Sequence, residues 1–149
     1  DIKYSDDNEA KEYSKAKEYV KYSRVSITEM KRQVGNLIVE DGIAVRGLII
    51  RHLVLPNEIA GSEESLRFIK DEIGKETFIS VMSQYFPTNR ADEFPLLSRP
   101  IRPGEYEKVL ELLDELGLEN GWVQEYDSKD YYCPDFEKEM PFAPLETNL

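Results

Sequence analysis

The chain has 149 residues, of which 40% are apolar and 11% are aromatic. This length and composition indicate one globular domain with a real hydrophobic core and exclude a disordered chain. The formal net charge of −11 argues against a general binder of nucleic acid or of anionic membranes, because like charges repel at long range. No apolar run approaches the roughly 20 residues that span a bilayer, and no signal peptide is visible, so we expect a cytoplasmic protein.

The first part of the sequence predicts a strand end, one or two helices and a hairpin. Residues 1–4 have the character of a strand that enters a loop. Apolar side chains recur at helical spacing over residues 9–34, and Gly35 ends that pattern. Residues 37–45 contain two short apolar runs around an Asp-Gly pair at Asp41. Asp-Gly is typical of tight hairpin turns, so this segment predicts a hairpin.

A nearly continuous apolar run at residues 47–56 is interrupted by Arg51 and His52. Such a run predicts a strand covered on both faces, as in a parallel sheet between helices. Because side chains alternate along a strand, these two residues would point to opposite faces. We expect a buried Arg51 to meet a carboxylate, either of a neighbouring residue or of a ligand. His52 is the only histidine, and without a second ligand nearby we interpret it as a packing residue.

The second part predicts a strand, helix, strand unit and then a long loop, a helix and a last strand. Ser62 is a candidate N-terminal cap for the helix of the strand, helix, strand unit. Residues 78–82 form the second apolar strand of that unit. Residues 88–103 make a loop longer than most connections, and such loops are often functional. Pro103 opens a helix with one apolar stripe, and residues 122–126 form a short strand.

This order of elements predicts an α/β fold, either half of a barrel or a small open parallel sheet. We divide the chain into a folded part, residues 1–126, and an irregular tail, residues 127–149, which has no core pattern. In either architecture ligands collect at the carboxyl ends of strands. For each polar residue there, an ordinary ion pair at the rim is the alternative interpretation. These residues are Asp1, Lys3, Arg51, His52, Gln84, Tyr85, Gln124 and Glu125.

Five segments in the same order resemble the carboxyl-terminal half of radical S-adenosylmethionine proteins, and in particular the group similar to pyruvate formate-lyase activating enzyme. The resemblance covers most of the chain. The segments are Asp1-Ile2-Lys3-Tyr4, Tyr13-Ser14, Met30-Lys31-Arg32-Gln33-Val34-Gly35, residues 47–56 and Met82-Ser83-Gln84-Tyr85-Phe86-Pro87. The resemblance extends over Arg99-Pro100 and the helix after Pro103 to Pro134-Asp135-Phe136.

The resemblance implies the carboxyl-terminal part of a partial (β/α) TIM-like barrel with parallel strands, one inserted hairpin and an irregular tail. In this family the barrel binds S-adenosylmethionine on a 4Fe-4S cluster and cleaves it reductively to a 5′-deoxyadenosyl radical. In the activating enzymes that radical abstracts a hydrogen from a glycine of a partner enzyme. The implied partners of the intact oxidoreductase are therefore a glycyl-radical protein as substrate and an electron donor.

Two departures from the family bear on activity. Its cluster is held by a Cys-x3-Cys-x2-Cys motif, which is absent here, and the single cysteine, Cys133, matches none of those positions. One thiolate cannot hold such a cluster, so we expect this chain alone to bind no cofactor or metal and to be inactive. Phe86 stands where relatives often place a histidine. If the cluster-binding half is missing, a strand edge at residues 1–4 or elsewhere would be exposed and would favour self-association.

The resemblance also assigns cofactor-binding residues. Asp1 and Lys3 match an Asp-x-Lys strand beside the S-adenosylmethionine site, and Arg51 matches an arginine that lines the same pocket. Gln84 and Tyr85 lie where the family has residues near the adenosine. The alternative to a piece of an enzyme is an independent acidic α/β interaction or regulatory domain without a cofactor.

Overall fold

Two helices open the part of the chain that the structure, a computed structural model, describes, namely residues 1–126. Helix α1 (Asp7–Ser14) begins after Asp6, whose carboxylate accepts two backbone N–H groups of the first turn. This cap satisfies donors that have no partner inside the helix. Helix α2 (Tyr19–Val34) follows after a short break. The predicted helical stretch is confirmed and consists of two helices.

An antiparallel hairpin follows α2, as the sequence predicts. It is formed by β1 (Ile38–Glu40) and β2 (Ile43–Arg46). Asp41 and Gly42 have positive φ angles of 50° and 79°, which a two-residue hairpin turn requires. Both strands are exposed along their whole length. Along the chain, the hairpin lies between α2 and the first strand of the central sheet. Because both of its strands are exposed, it contributes little to the core.

The central sheet has three parallel strands in the order β3 (Ile49–Leu53), β4 (Phe78–Met82) and β5 (Gly121–Val123). On the far side of β3, Ile2 forms a single parallel bridge to His52. The predicted parallel unit is confirmed. The start of the chain, which the sequence predicts as the end of a strand, lies beside β3. It pairs with β3 through a single bridge and does not form a regular strand.

Gly121 sets how closely β5 approaches β4. Its φ is 136°, and a Cβ atom there would lie 1.9 Å from the carbonyl oxygen of Ile79. No side chain fits at that distance, so the pairing of these strands at this point requires glycine. The last strand begins here, one residue earlier than the sequence predicts, and it ends at Val123, so the predicted continuation to residue 126 is wrong.

Helices connect the strands on one side of the sheet. Helix α3 (Ser62–Phe68) continues into a wider π-helical turn, Ile69–Ile73, and α4 (Pro103–Leu116) precedes β5. The prediction that Ser62 caps α3 is wrong, because no side chain caps that helix and the Ser62 hydroxyl is bonded instead to His52. The predicted helix after Pro103 is confirmed.

Two short 3-10 helices follow the strands, Pro56–Glu58 after β3 and Asn89–Glu93 after β4. The second lies in the long loop that the sequence predicts at residues 88–103. Within the described range no helix has both the length and the apolar character needed to cross a membrane. The predicted irregular tail, residues 127–149, lies outside the described residues.

The core lies between the sheet and the helices. Ile50, Ile79 and Val81 point toward the helical layer and are at most 2% exposed. In β3 the residues alternate between exposed and buried. The expectation that this strand is covered on both faces is therefore wrong, because in residues 1–126 the helices pack against one face. The core cluster also includes Leu66, Ile69, Val109, Leu113 and Leu116 from α3, the π-helical turn and α4.

A second apolar cluster lies at the carboxyl end of β3. Its buried members are Tyr4, Ala10, Leu55, Ile59, Ala60 and Leu97, with Tyr13, Tyr19, Tyr85 and Phe94 packed around them. The aromatic rings meet edge to face, with centroids 5.5 Å apart in Tyr4 and Tyr19 and 5.4 Å apart in Tyr13 and Phe94. The described residues thus form a mixed α/β domain with an open parallel sheet.

Candidate functional site

The face of the central sheet that the helices leave uncovered carries most of the predicted site. We call it the open face. Side chains alternate along a strand, so residues next to buried ones share this face. Because Ile2 and His52 are buried on the helical side, Asp1, Lys3 and Arg51 belong to the open face. Its other members are Ile49, Leu53, Phe78, Ser80, Met82 and Trp122. Of these, Met82 is buried and Leu53 packs against the second apolar cluster.

Arg51 and Asp1 form a two-point ion pair on the open face. The Arg51 Nε and Nη2 atoms donate to the two carboxylate oxygens of Asp1 at 2.7 and 3.0 Å. The expected carboxylate partner is therefore a neighbouring residue. The expectation that the guanidinium is buried is wrong, since the two side chains are 58% and 33% exposed. The pair is held in a fixed geometry and remains accessible to a ligand.

Lys3 lies next to this pair and is exposed. Its backbone N–H donates to the hydroxyl of Tyr19 at 2.8 Å, which fixes the main chain against α2. Within residues 1–126, no hydrogen bond or ion pair engages the Lys3 ammonium. Two cations and one carboxylate therefore share a small area of the open face, where they can meet a group that carries both signs of charge.

His52 is a packing residue, as the sequence predicts. Its side chain is fully buried, with Nδ1 3.0 Å from the carbonyl oxygen of Ile2 and Nε2 2.9 Å from the hydroxyl of Ser62. A carbonyl can only accept, so Nδ1 carries the proton and Nε2 accepts from Ser62. Burial lowers the His52 pKa from 6.5 to about 4, although the bond to Ile2 opposes this. The imidazole is neutral and fastens the start of the chain to α3.

Gln84 and Tyr85 lie at the carboxyl end of β4 and are engaged by the protein itself. The Gln84 side-chain oxygen accepts from the Gln124 amide at 2.9 Å. The Tyr85 hydroxyl donates to the Leu97 carbonyl at 2.7 Å, and burial raises its pKa. Across the described part of the chain, no hydrogen bond or ion pair joins them to Asp1, Lys3 or Arg51. The structure therefore brings together three of the five predicted cofactor-binding residues.

The other two polar residues from the strand ends also have structural partners. Gln124 accepts from the backbone N–H of Ser83 at 3.0 Å, and the Glu125 carbonyl accepts from the Ser83 hydroxyl at 2.7 Å. These bonds tie the chain after β5 to the end of β4. For Gln124 and Glu125 the ordinary structural interpretation fits these contacts.

Sequence reasoning missed a brace between loops at the carboxyl ends of the strands. Arg99 donates to both carboxylate oxygens of Glu105 at 2.7 and 2.8 Å, and to the side-chain oxygen of Asn57 at 2.8 Å. The Arg99 bonds, with help from two backbone N–H groups, hold the Glu105 pKa at about 2 despite partial burial. A glutamate in the first turn after Pro103 is a recognisable capping signal, but no sequence pattern locates its arginine partner.

A groove lies elsewhere, between α3 and α4 on the helical side. It has a volume of about 490 Å³ and is lined mainly by charged side chains, among them Glu64, Glu111 and Glu115. It contains none of the predicted site residues. In residues 1–126 there is also no group of three His, Cys, Asp or Glu side chains suited to a metal ion. Cys133 lies outside that range.

A longer archaeal protein shares part of this sequence. The chain is 37% identical over 73 residues to a protein of Methanocaldococcus jannaschii named uncharacterized protein MJ0674. The match covers 48% of this chain and 21% of that protein, so it spans about a fifth of the relative's length. No protein-family profile matches the chain, and no solved structure matches it. The relative's name states no activity, so a functional assignment depends on the site.

Proposed function

We propose that this chain is the carboxyl-terminal part of a radical S-adenosylmethionine oxidoreductase similar to pyruvate formate-lyase activating enzyme. The observation that carries the proposal is the open face, where Asp1 and Lys3 at the start of the chain lie beside Arg51 of β3, in a parallel sheet whose other face is covered by helices. In a barrel of this kind the uncovered face would be the interior and would line the ligand site. The parallel order of β3, β4 and β5 supports this reading.

The charges on the open face suit the amino-acid end of S-adenosylmethionine. Arg51 and Lys3 can bind its carboxylate, and Asp1 can accept from its ammonium group. Arg51 uses Nε and Nη2 on Asp1, which leaves Nη1 for a ligand oxygen. In this proposal the three residues bind and orient the amino-acid end, and they keep their own mutual geometry when the ligand arrives.

The iron–sulfur cluster belongs to another part of the intact protein in this proposal. It would supply the electron for the reductive cleavage to the 5′-deoxyadenosyl radical. The proposed substrate is a glycyl-radical protein, and a separate donor would provide the electron. The gene region ahead of Asp1 should then encode a Cys-x3-Cys-x2-Cys motif. Absence of the motif from that region would contradict the proposed function.

Replacement of Arg51 tests the proposal in the full-length protein. Arg51→Ala should weaken the binding or cleavage of S-adenosylmethionine by roughly tenfold or more, which corresponds to about 1.4 kcal/mol. The melting temperature should change little, because an exposed ion pair contributes roughly 0–1 kcal/mol. Anaerobic cleavage assays and thermal melts of the same preparation measure the two effects.

Arg67 offers a matched control. It also pairs with a carboxylate, Glu63, and its side chain is 51% exposed, but it lies on α3 away from the open face. Arg67→Ala should leave cleavage unchanged. Normal cleavage by Arg51→Ala together with a strongly lowered melting temperature would show that Arg51 is a structural residue and would contradict the proposed site.

An independent interaction domain is the second candidate. Exposed apolar side chains favour it, since Ile43 of the hairpin is 68% exposed and Trp122 of β5 is 54% exposed. Surfaces of this kind often bind other proteins. A functional start codon near Asp1, together with the lack of any cysteine motif upstream, would favour this candidate.

A further inference from the structure

The hairpin presents apolar side chains to solvent on both of its strands. Ile38 and Val39 of β1 are 48% and 47% exposed, and Ile43 and Val45 of β2 are 68% and 52% exposed. Within residues 1–126 the hairpin is a two-stranded sheet of its own, so neither of its outer edges is paired with another strand. Edges of this kind are templates for the addition of a further strand.

The base of the hairpin is held in place by α2 and the turn that follows it. Arg46 donates from Nε to the Val34 carbonyl and from Nη2 to the Gln33 carbonyl, at 3.1 and 3.2 Å. Carbonyls in the last turn of a helix have no partner within the helix, so these bonds satisfy them. Gly47 packs against the backbone, since a Cβ atom there would lie 2.3 Å from the Asn36 carbonyl oxygen. The two strands therefore project from an anchored base.

The backbone groups of Ala44 are available at the outer edge of β2. In a two-residue hairpin the residues that flank the turn, here Glu40 and Ile43, bond to each other, and the next pair does not. That next pair is Val39 and Ala44, so the N–H and C=O groups of Ala44 point away from β1. Two copies of Ala44 can therefore exchange both backbone hydrogen bonds across a two-fold axis, as a hydrogen-bonded antiparallel pair does.

The side chains around Ala44 are complementary to their own copies. A two-fold axis at Ala44 places Ile43 of one copy opposite Val45 of the other, and the axis makes this contact twice. Pairs of β-branched side chains across neighbouring strands stabilise a sheet. The same axis brings Asp41 at the tip of one hairpin near Arg46 at the base of the other. Charges of opposite sign then meet at both ends of the contact.

The outer edge of β1 lacks this match. A two-fold axis at Val39 would place Ile38 of one copy opposite Glu40 of the other, which pairs an aliphatic side chain with a carboxylate. That arrangement would leave both apolar side chains without an apolar partner. The residues of the hairpin therefore favour the edge of β2.

We propose that two copies of this chain associate through β2 and form one antiparallel sheet of four strands, in the order β1, β2, β2, β1. A sheet of two strands is marginally stable alone, and further strands stabilise it. The inference goes beyond the proposed function and does not rest on it. Because the contact is small and the net charge is −11, the dimer is weak and forms at high protein concentration in moderate salt.

Amide hydrogen exchange, measured by NMR, tests where the two copies meet. The Ala44 N–H should exchange rapidly in dilute protein and about twofold or more slowly at millimolar concentration, because pairing of half the chains halves its rate. The Val39 N–H lies on the other edge of the hairpin and should exchange rapidly at both concentrations. Exchange of the Ala44 amide that does not depend on concentration would overturn the inference.

Two proline variants distinguish the two edges. Ala44→Pro removes the outward N–H of β2, and Val39→Pro removes that of β1, and strands tolerate proline at such edge positions. Both are made in a Trp122→Lys background, which weakens contacts through the open face. Sedimentation should then show only monomers for Ala44→Pro and the same monomer–dimer equilibrium as the background for Val39→Pro. Both melting temperatures should stay near that of the background, because the hairpin contributes little to the core.

The outcomes separate the β2 edge from every other contact. Ala44→Pro that dimerises as fully as the background would contradict the inference, and so would a loss of dimers in Val39→Pro alone. If both variants are monomeric, the Ala44 amide of the background protein decides, since its protection at high concentration supports the β2 edge and its free exchange excludes it. A background protein that stays monomeric up to millimolar concentration would also overturn the inference.

Discussion

At the scale of single residues, His52 and its neighbour Arg51 fasten the start of the chain in two different ways. His52 binds the Ile2 carbonyl from the buried side, and Arg51 binds Asp1 on the open face. The first bond is protected from water, while the second is exposed. We therefore expect the two residues to respond very differently to pH and to substitution.

The buried imidazole should make stability fall in mild acid. The His52 pKa is about 4 when folded and about 6.5 when unfolded, so between these values the unfolded chain binds more protons. The neutral His52 side chain contributes about 3 kcal/mol to the free energy of unfolding. This contribution is complete above about pH 6.5, decreases as the pH falls and is lost by about pH 4. Urea unfolding at pH 7 and at about pH 5.5 should show the first part of this loss.

His52→Gln is the matched variant, because its amide can donate to Ile2 and accept from Ser62 without titrating. It should be less stable than the unaltered chain at pH 7, and the difference should shrink as the pH falls to about 5.5. Parallel pH curves for the two proteins would contradict a neutral buried imidazole.

The sequence predicted the partners of these residues better than their surroundings. The residue types at positions 51 and 52 predicted a carboxylate partner and a packing histidine, because an arginine or a lone histidine in an apolar strand has few alternatives. The sequence did not predict that the Arg51 side chain is exposed. An apolar run does not reveal whether both faces of its strand are covered, since that depends on elements distant in sequence.

At the scale of elements, the brace of Arg99, Glu105 and Asn57 joins the start of α4 to the loops after β3 and β4. Glu105 also accepts from the backbone N–H groups of Asn57 and Arg102, at 2.8 and 2.7 Å. One carboxylate therefore satisfies donors from two separate segments, the turn after β3 and the end of the loop before α4. This arrangement should stabilise the domain more than an isolated surface ion pair does.

Glu105→Gln should lower the free energy of unfolding by about 1–3 kcal/mol, because it removes charged hydrogen bonds from a largely covered site. Since the Glu105 pKa is lowered from 4.5 to about 2, its contribution is present above pH 4.5 and is lost as the pH falls toward 2. Glu63→Gln is the control, because its pair with Arg67 is exposed and lies within one helix. If both variants lose the same free energy of unfolding in urea, the brace stabilises the domain no more than an exposed ion pair within one helix does.

The helices and the hairpin were predictable because their signals are local. Pro103 opens α4, an Asp-Gly pair turns the hairpin, and apolar spacing marks the helical faces. Ser62 shows the limit of such signals. A serine before a helical pattern predicts a cap, yet here its hydroxyl binds an imidazole from β3, a contact between residues that only the fold brings together.

At the scale of the whole molecule, the open face should allow the chain to associate with itself. Ile49 and Trp122 are 37% and 54% exposed on that face. The start of the chain, which the sequence predicts as an exposed edge, is a weaker candidate because Ile2 is buried and bonded to β3. The net charge of −11 opposes association, so added salt should promote it.

Sedimentation at rising protein concentration tests this expectation. Trp122→Lys should reduce association in moderate salt, because it places a charge in the apolar part of the open face. Tyr22→Lys is the control, since Tyr22 is 57% exposed on α2 and the substitution changes the net charge equally. A chain that stays monomeric at every concentration and salt level would contradict association through the open face.

The fold class was predictable at this scale, but the arrangement of layers was not. Alternating strand and helix patterns led to an α/β fold with parallel pairing, and the register of β3 and β4 confirms it. The open sheet follows from which faces find a partner, and no pattern along the sequence records that. A barrel remains part of the proposal for the intact protein.

The contact between Gly121 and Ile79 has a consequence for how this surface can diversify. Any substitution at Gly121 would collide with β4, whereas the side chain of its neighbour Trp122 is 54% exposed, so other side chains can be accommodated there. Two adjacent positions thus have opposite mutational freedom. Selection acting on this edge strand could replace the exposed tryptophan with a different side chain in one step, while the glycine kept the replacement at the same place on the sheet.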